Sequence, residues 1–462
     1  MSTEHFTVPA WGLLWGDPTN PAPRPTISPG LHLPSKLDVA GLVAGSVTLA
    51  VGATHRAAAA RGQLAADPDV VLDGARLTTS VQSDRHFRRS GQPADAWAPL
   101  SGFWQAADGW VRTHGNYPHH AERLRSVLGL ADNADKQAVA AAIAERSALQ
   151  MESAGAAAGA VVVAVRSPEQ WRAEPHAAAA ATQPLVDIQP VGDADARHWG
   201  HGSAPLAGIR VLDLTRVIAG PVATRDLAFA GADVLRVDPP QLPEIEWQHL
   251  DTGQGKRSVR LDLDIADQCA QLESLLDTAD IVVTGYRPGA LDRFGLNPHQ
   301  LAERHPGLVI GTVSAWGTTG PWAHRRGFDS IVQAASGIAM IDSPDGVTPG
   351  ALPAQALDHA AGHLLAAGTI AALTRQRARG GTWSVSVSLV RIAHQLLTAP
   401  PGRSDTEPAP PTLQTGRTPA GEMTVALPAL TYRGAPHAYP DLSHPWGSAE
   451  PHWLEPDRTD AG

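Results

Sequence analysis

A single cysteine, Cys269, stands in 462 residues, so no intrachain disulfide can form and nothing points to an oxidising compartment. Its surroundings, 266–276, have a helical pattern, and the thiol is expected there as a small buried hydrophobe. Long apolar runs are also missing. The longest, 39–53 and 156–165, are rich in Ala and Gly and fall short of the ~20 residues of a membrane span. Met1 to Ala10 mixes polar residues and lacks a basic segment followed by an apolar one, so no targeting signal is visible. A cytoplasmic location without a membrane partner is the resulting expectation. Basic residues are in deficit as well: 36 Lys and Arg face 46 Asp and Glu, a net charge of −10. That balance argues against nucleic acid as a partner but leaves room for a local basic pocket that holds a phosphorylated small molecule.

Apolar residues make up 43% of the chain, a globular proportion, and the length suits two or three domains. Residues 16–35 are Pro-rich and read as a loop, and 37–61 read as a helix of small residues able to pack closely on a neighbour. Residues 98–186 read as a smaller α+β domain, opened by a strand–turn–strand signal around Asp108-Gly109. Helical stretches at 121–130 and 136–148 and a strand at 160–165 follow. A linker is expected over 187–205, a large α/β domain over 206–400 and a Pro-rich extended tail over 401–462, while 1–97 hold the N-terminal loop and Ala-rich helices.

The large unit has the clearest pattern. Strands at 209–214, 234–237, 258–263, 281–283 and 308–313 alternate with helices at 222–230, 266–276 and 298–305, the helix at 222 being opened by Gly220-Pro221. Such alternation predicts an α/β fold with a parallel Rossmann-like sheet and flanking helices. Residues 37–56 and 357–377 also look alike, each a Leu-Asp pair followed by Ala, Gly, Thr and Arg, which is the pattern of a duplicated segment or of two Ala-rich helices.

Asp358, before the small-residue stretch AGHLLAAG, has two readings: a carboxylate that attacks a carbonyl, or a helix N-cap. Asp38 is its counterpart in the earlier segment and is expected to be a structural cap. His359 and His363 lie four apart, and His114, His119 and His120 cluster in one loop. Neither set completes a recognised metal-ligand spacing, so no metal is expected. The loop carrying His114, Asn116, Tyr117, His119 and His120 is read as part of the small domain, facing an acyl group.

Seven ordered blocks carry a resemblance. They are Gly208–Pro221 (GIRVLDLTRVIAGP), Gly231–Asp238 (GADVLRVD), Gly255–Leu263 (GKRSVRLDL), Asp280–Val283, Arg287–Leu296 (RPGALDRFGL), Gly317–Pro321 and Gly327–Gln333 (GFDSIVQ). With them, the run from Pro205 to about Leu397 resembles the family III CoA-transferases, the group of formyl-CoA transferase and carnitine CoA-transferase, with α-methylacyl-CoA racemase as a relative. The resemblance implies an enzyme that moves CoA between an acyl-CoA and a carboxylic acid, with CoA thioester as substrate and no tightly bound cofactor. It implies an interlocked homodimer. It makes Asp358 the catalytic nucleophile. It also implies that Val217, Ile218, Ala219, Gly255, Lys256, Arg257, Tyr286, Arg287, Arg293, Arg326, Phe328 and Asp329 line the CoA site.

Three departures stand out. Pro239-Pro240 occupy a place where some members carry an arginine near the adenine. Phe328 replaces the histidine of the racemase relatives, and phenylalanine cannot shuttle a proton, which favours a transferase over a racemase. The segment 37–185, which looks like the family's catalytic helix and small domain, precedes the large domain instead of following it. That order leaves open a non-catalytic CoA-binding protein as an alternative.

Overall fold

The computed structural model describes residues 2–16, 21–64, 69–200, 202–402, 404–405 and 407–455. The ends of the predicted Pro-rich loop and tail, 17–20 and 456–462, and linker residue 201 lie outside the described residues.

Short β-branched segments between glycine turns build one seven-stranded sheet. Its order is Lys256–Arg260, Asp233–Asp238, Arg210–Leu214, Ile281–Thr284, Val309–Ser314, Thr382–Ser388 and Asp187–Gly192. The first six strands run parallel, and the last pairs antiparallel with Thr382–Ser388. From Arg210–Leu214 the chain adds strands outward on one side, then returns and adds them on the other. The direction of winding therefore reverses between Arg210–Leu214 and Ile281–Thr284. In open parallel sheets a crevice forms at that point, beyond the carboxyl ends of the strands.

Both faces are covered, as a parallel sheet requires. One face packs Leu212, Leu235, Val282 and Ile310 on Leu272 and Leu276 of helix Ala266–Leu276 and on Leu301 of helix Pro298–Arg304. Cys269, on the first of these helices, is only partly buried, unlike the expectation, because the helix turns Leu272, Leu275 and Leu276 inward instead. The other face carries helices Ala219–Phe229 and Ala356–Arg379. The latter also packs along helix Val39–Ala60. Gly362 permits the close approach to helix Ala219–Phe229, since a Cβ there would meet Val222 and the carbonyl of Ala219.

The smaller unit is a hairpin, Gly102–Ala106 and Gly109–Thr113, extended antiparallel by Val162–Ala164. Helices Pro118–Leu128, Lys136–Ala144 and Ala148–Ala158 close a core of Trp104, Val111, Leu124, Ile143 and Met151 over it.

Four features differ from the sequence reading. Residues 187–192 of the expected linker are an edge strand, a position that tolerates Pro190 because an edge needs fewer N–H donors. The expected extended tail contains a second hairpin, Leu413–Thr418 with Gly421–Ala426, which joins Arg88–Arg89 and Gln92–Pro93 in a four-stranded sheet. Met423 and Val425 alternate inward there and are buried, so apolar alternation outweighs the proline content. Near the N-terminus, helix Glu4–Trp15 buries Phe6, Ala10, Trp11 and Leu14 despite Pro9. Strand Thr382–Ser388 was announced only by its Trp-Ser-Val-Ser-Val alternation. Among the described residues no helix is long and apolar enough to cross a membrane.

Candidate active site

The crevice at the reversal point is occupied by a cavity of about 240 Å³. Val217, from the segment after strand Arg210–Leu214, forms one wall. Tyr286 and Arg287, after strand Ile281–Thr284, form another. Arg326 and Phe328 come from the loop before helix Asp329–Ala335, and Tyr117, His119 and His120 come from the smaller unit. A second cavity of about 360 Å³ adjoins it and shares Leu242, Tyr286 and Ala290. Its walls include Asp238, Asp262, Asp264 and Arg293.

The turn at Val217 is strained. Its φ is +70°, a left-handed conformation that a β-branched side chain rarely adopts. Glu244 holds it there: the carboxylate accepts from Val217 N at 3.1 Å, from Arg236 Nη2 at 2.9 Å and from the Tyr117 hydroxyl at 2.5 Å. Although burial opposes ionisation, Arg236 and Arg216 hold this carboxyl down at about 2. Through Tyr117 the smaller unit is therefore tied directly to the strained turn.

Asp358 lies in the first turn of helix Ala356–Arg379 rather than at its cap, which is Gln355. The turn is instead held by Asp329, whose Oδ2 accepts from Leu357 N at 2.9 Å and from Asp358 N at 3.0 Å. Asp329 Oδ1 accepts from Gln333 Nε2. The N-cap alternative for Asp358 thus fails, and Asp38, by contrast, is a cap that accepts from Gly41 N at 2.9 Å. Asp358 is 6% exposed and has no hydrogen-bond partner for its carboxyl group among the described residues. It lines a small cavity with Val217, Ile218, His114, Asn116, Phe328 and Asp329. Val217 and Phe328 also line the larger cleft, so the two spaces adjoin.

Burial raises the Asp358 carboxyl well above its ordinary value, and the nearby Asp329 carboxylate adds to the rise. Burial likewise raises Asp329, to about 6. Two carboxyl groups in one dry site share protons, so the pair titrates as a unit. Phe328 stacks face to face on His114, with ring centroids 3.8 Å apart. Burial, then the neighbouring Arg112, lowers that imidazole to about 3 and keeps it neutral.

Of the predicted CoA-site residues, Val217, Ile218, Tyr286, Arg287, Arg293, Arg326, Phe328 and Asp329 line these three connected spaces. Ala219 is buried one step further in, as the first residue of its helix. Gly255, Lys256 and Arg257 require correction. They stand at the amino end of their strand, while the cavities open at the carboxyl ends. Lys256 is folded under the sheet, where Nζ donates to Asp213 Oδ2 at 3.0 Å, Pro221 O at 2.7 Å and Thr224 Oγ1 at 2.6 Å. An ammonium has three donors, so none is left for a phosphate. Arg257 is spent on Asp233, at 2.8 and 3.1 Å, and on the carbonyl of His452. Gly255 donates its N–H to Asp441 O and has a left-handed φ of +72°.

Arg287 and Arg326 are different, for no ion pair to either is found among the described residues. Burial, followed by repulsion from Arg123 and Arg287, lowers the Arg326 guanidinium. A site where cations crowd together in this way favours a polyanion. His363 pairs with Asp226 at 2.6 Å and His359 faces Arg225, so neither belongs to the cleft. Among the described residues no group of three His, Cys, Asp or Glu converges as a metal site. Sequence reasoning missed Glu244, Trp97 and Arg112. Glu244 follows a Pro-rich turn with no motif. Arg112 and Trp97 gain meaning only when the smaller unit docks on the large one.

The parallel α/β sheet thus carries at its reversal point a cleft lined by Arg216, Arg287, Arg325 and Arg326, with a buried carboxyl pair beside it. The chain matches CoA-transferase family III over residues 206–433. It is 36% identical over 203 residues to a probable fatty acyl-CoA transferase of Mycobacterium tuberculosis, covering 41% of this chain and 51% of that protein. It is 37% identical to the succinate–glutarate CoA-transferase of Agrobacterium fabrum, over 31% of this chain and 40% of that one. Formyl-CoA:oxalate CoA-transferase of Escherichia coli is 31% identical, with 40% and 48% covered. A crystal structure of a hypothetical protein from Mycobacterium tuberculosis aligns at 36% identity with a TM-score of 0.39, over 41% of this chain and 56% of that structure. The chain spans about half the length of these curated relatives.

Proposed function

We propose that the protein is a CoA-transferase that moves CoA from an acyl-CoA donor to a carboxylic acid through a covalent intermediate on Asp358. One observation carries this reading: Asp358 lines a cavity that shares Val217 and Phe328 with the cationic cleft, so a thioester held in the cleft reaches its carboxyl group. Arg287 and Arg326 hold the phosphates of CoA, and Arg293 and Tyr286 line the adjoining space for the rest of the nucleotide. The strand order, with its central reversal, supports a Rossmann-like description of the sheet.

The chemistry then balances as follows. An Asp358 carboxylate oxygen attacks the thioester carbonyl carbon, the C–S bond breaks, and a mixed anhydride and CoA thiolate result. The thiolate attacks the Asp358 carbonyl of that anhydride, releasing the donor acid as carboxylate and leaving an aspartyl thioester. The acceptor carboxylate attacks that thioester and expels the thiolate again. The thiolate finally takes the acceptor acyl group, and Asp358 returns as carboxylate. CoA is a substrate in this scheme, and no resident cofactor is needed. The reading places the protein in the cytoplasm as a homodimer, a state that sedimentation would test.

Incubation with an acyl-CoA followed by hydroxylamine or borohydride should modify Asp358, as mapped by mass spectrometry. Full activity in Asp358→Asn would end the proposal. Deuterium incorporation at the α-carbon without an acceptor acid would replace it with an acyl-CoA racemase, in which the same carboxyl pair moves a proton.

A further inference from the structure

The two cavities of the cleft differ in charge. The first adjoins the Asp358 cavity through Val217 and Phe328 and is lined by Arg216, Arg287, Arg325 and Arg326. Among the described residues no carboxylate lines it. The second, of about 360 Å³, shares no lining residue with the Asp358 cavity. Leu214, Val237, Leu261, Phe294 and Leu296 give it an apolar wall suited to a flat heterocycle. Its charged residues are Asp238, Asp262, Asp264 and Arg293.

Asp238 is neutralised within the sheet, since both of its oxygens accept from Arg236, at 2.7 and 2.9 Å. Asp262 and Asp264 have no such buried partner. They stand in one turn after strand Lys256–Arg260, where Asp262 Oδ1 accepts the Asp264 N–H at 3.0 Å. Arg293 is the one cation among the described residues that line this cavity, and Asp264 Oδ2 already holds it at 3.1 Å. Arg260, at the end of the same strand, lies over the Trp446 ring, 5.4 Å from its centroid, and does not line the cavity. Pro239 lines the wall without adding a charge. Beyond the Arg236–Asp238 pair, two carboxylates therefore face one guanidinium, a local balance of −1.

CoA carries anions in two places, a pyrophosphate that joins the pantetheine arm to the nucleoside and a 3′-phosphate on the ribose. With the thioester at Asp358, the pyrophosphate falls among the four arginines and the nucleoside enters the second cavity. A phosphate monoester there brings roughly −1.5 to −2 charges at pH 7. To pair with Arg293 it must displace Asp264, which leaves two carboxylates beside the new anion. Like charges placed together in this way are a common means of setting specificity.

We infer that the protein does not select for the 3′-phosphate. Its thioester substrate is held by the phosphopantetheine arm and pyrophosphate, dephospho-CoA thioesters serve as readily as CoA thioesters, and Asp262 and Asp264 set this indifference. The inference rests on the proposed placement of a CoA thioester in the cleft.

The test measures binding of CoA and of 3′-dephospho-CoA to the full chain by calorimetry. CoA is expected to bind no more than about threefold more tightly than dephospho-CoA. In the double variant Asp262→Asn, Asp264→Asn, which releases Arg293, CoA should gain a preference of about tenfold, and high salt should erase that gain. Asparagine at 262 keeps an acceptor for the Asp264 N–H, so the turn is retained. A larger preference for CoA in the parent protein would overturn the inference, as would a folded double variant that still binds the two alike. Failure of both ligands to bind would remove the CoA reading and this inference together. Trapping of an aspartyl thioester from an acyl-CoA and its dephospho counterpart is run alongside. Binding of both without any thioester at Asp358 would leave the nucleotide inference standing and remove the transfer reading instead.

Discussion

Asp329 Oδ2 accepts the backbone N–H of Asp358 at 3.0 Å, so the group that fixes the Asp358 turn is also the charge that opposes ionisation of Asp358. In the proposed transfer Asp358 must attack as a carboxylate, yet burial and Asp329 both favour its protonated form. Activity should therefore rise with pH. The acid limb of kcat/KM is expected to have an apparent pKa of about 6 or above, belonging to the pair. Asp329→Asn keeps a side-chain acceptor for the turn but removes the repelling charge, so it should move the limb to lower pH. A pH–rate profile unchanged by that substitution would show that the two groups do not titrate together.

The same pair makes a prediction about stability. Both folded pKa values are raised, so the native state binds these protons more tightly than the unfolded chain. The stabilisation is complete below the unfolded carboxyl range and is lost as pH rises through the folded values. For Asp329, raised from 3.8 to about 6, the loss amounts to roughly 3 kcal/mol. Asp358→Asn, which cannot ionise, should raise the melting temperature at pH 8 and leave it nearly unchanged at pH 4. Calorimetry at the two pH values checks this, and a larger gain at pH 4 would contradict it.

Lys256 tests the distinction between a phosphate ligand and an interior ion pair. Lys256 and Asp213 are both buried, 3.0 Å apart, and burial pulls the ammonium down to about 8 against the opposing carboxylate. Removing one partner of such a pair costs ~3–5 kcal/mol because the other is left charged and dry. Lys256→Met should accordingly shift the denaturation midpoint strongly while leaving the KM for a CoA thioester, in the fraction that folds, within about threefold. A large rise in KM with unchanged stability would return Lys256 to the nucleotide site.

Much of this architecture is readable from local signals. The strands at 210–214 and 281–284 announce themselves by β-branched runs, Val217 and Phe328 come from blocks with a recognisable order, and Asp358 precedes a small-residue stretch. Lys256 and Arg293 show where local reading stops. Both are cations in ordered blocks, yet the first is turned under the sheet onto Asp213 while the second lines the open cavity, half released beside Asp264. Sequence position does not encode which way a long side chain exits a strand's end. Arg112 is harder still. It sits in an ordinary hairpin, and only the fold brings it behind Asp329, some two hundred residues later in the chain. The hairpin over 413–426 was hidden by flanking prolines, although Met423 and Val425 already alternate toward the core.

Val217 is the remaining test, because its strain has no structural excuse of its own. A valine at φ +70° costs of order 1–3 kcal/mol, and Glu244 maintains the turn through Val217 N at 3.1 Å. Val217→Gly relieves the strain but adds the conformational freedom of glycine to the unfolded chain, so the net gain in stability should be about 1 kcal/mol. Turnover should move the other way. The turn separates the cationic cleft from the Asp358 cavity, and a wall that wanders by an ångström there misaligns thioester and carboxylate, which lowers kcat by about tenfold or more. Glu244→Gln should lower kcat in the same direction, since it weakens the clamp between Tyr117, Arg236 and the turn and the ion pair with Arg216, while leaving Arg287 and Arg326 untouched. A Val217→Gly variant as active as the parent would mean that the left-handed turn is a tolerated defect rather than part of the machinery.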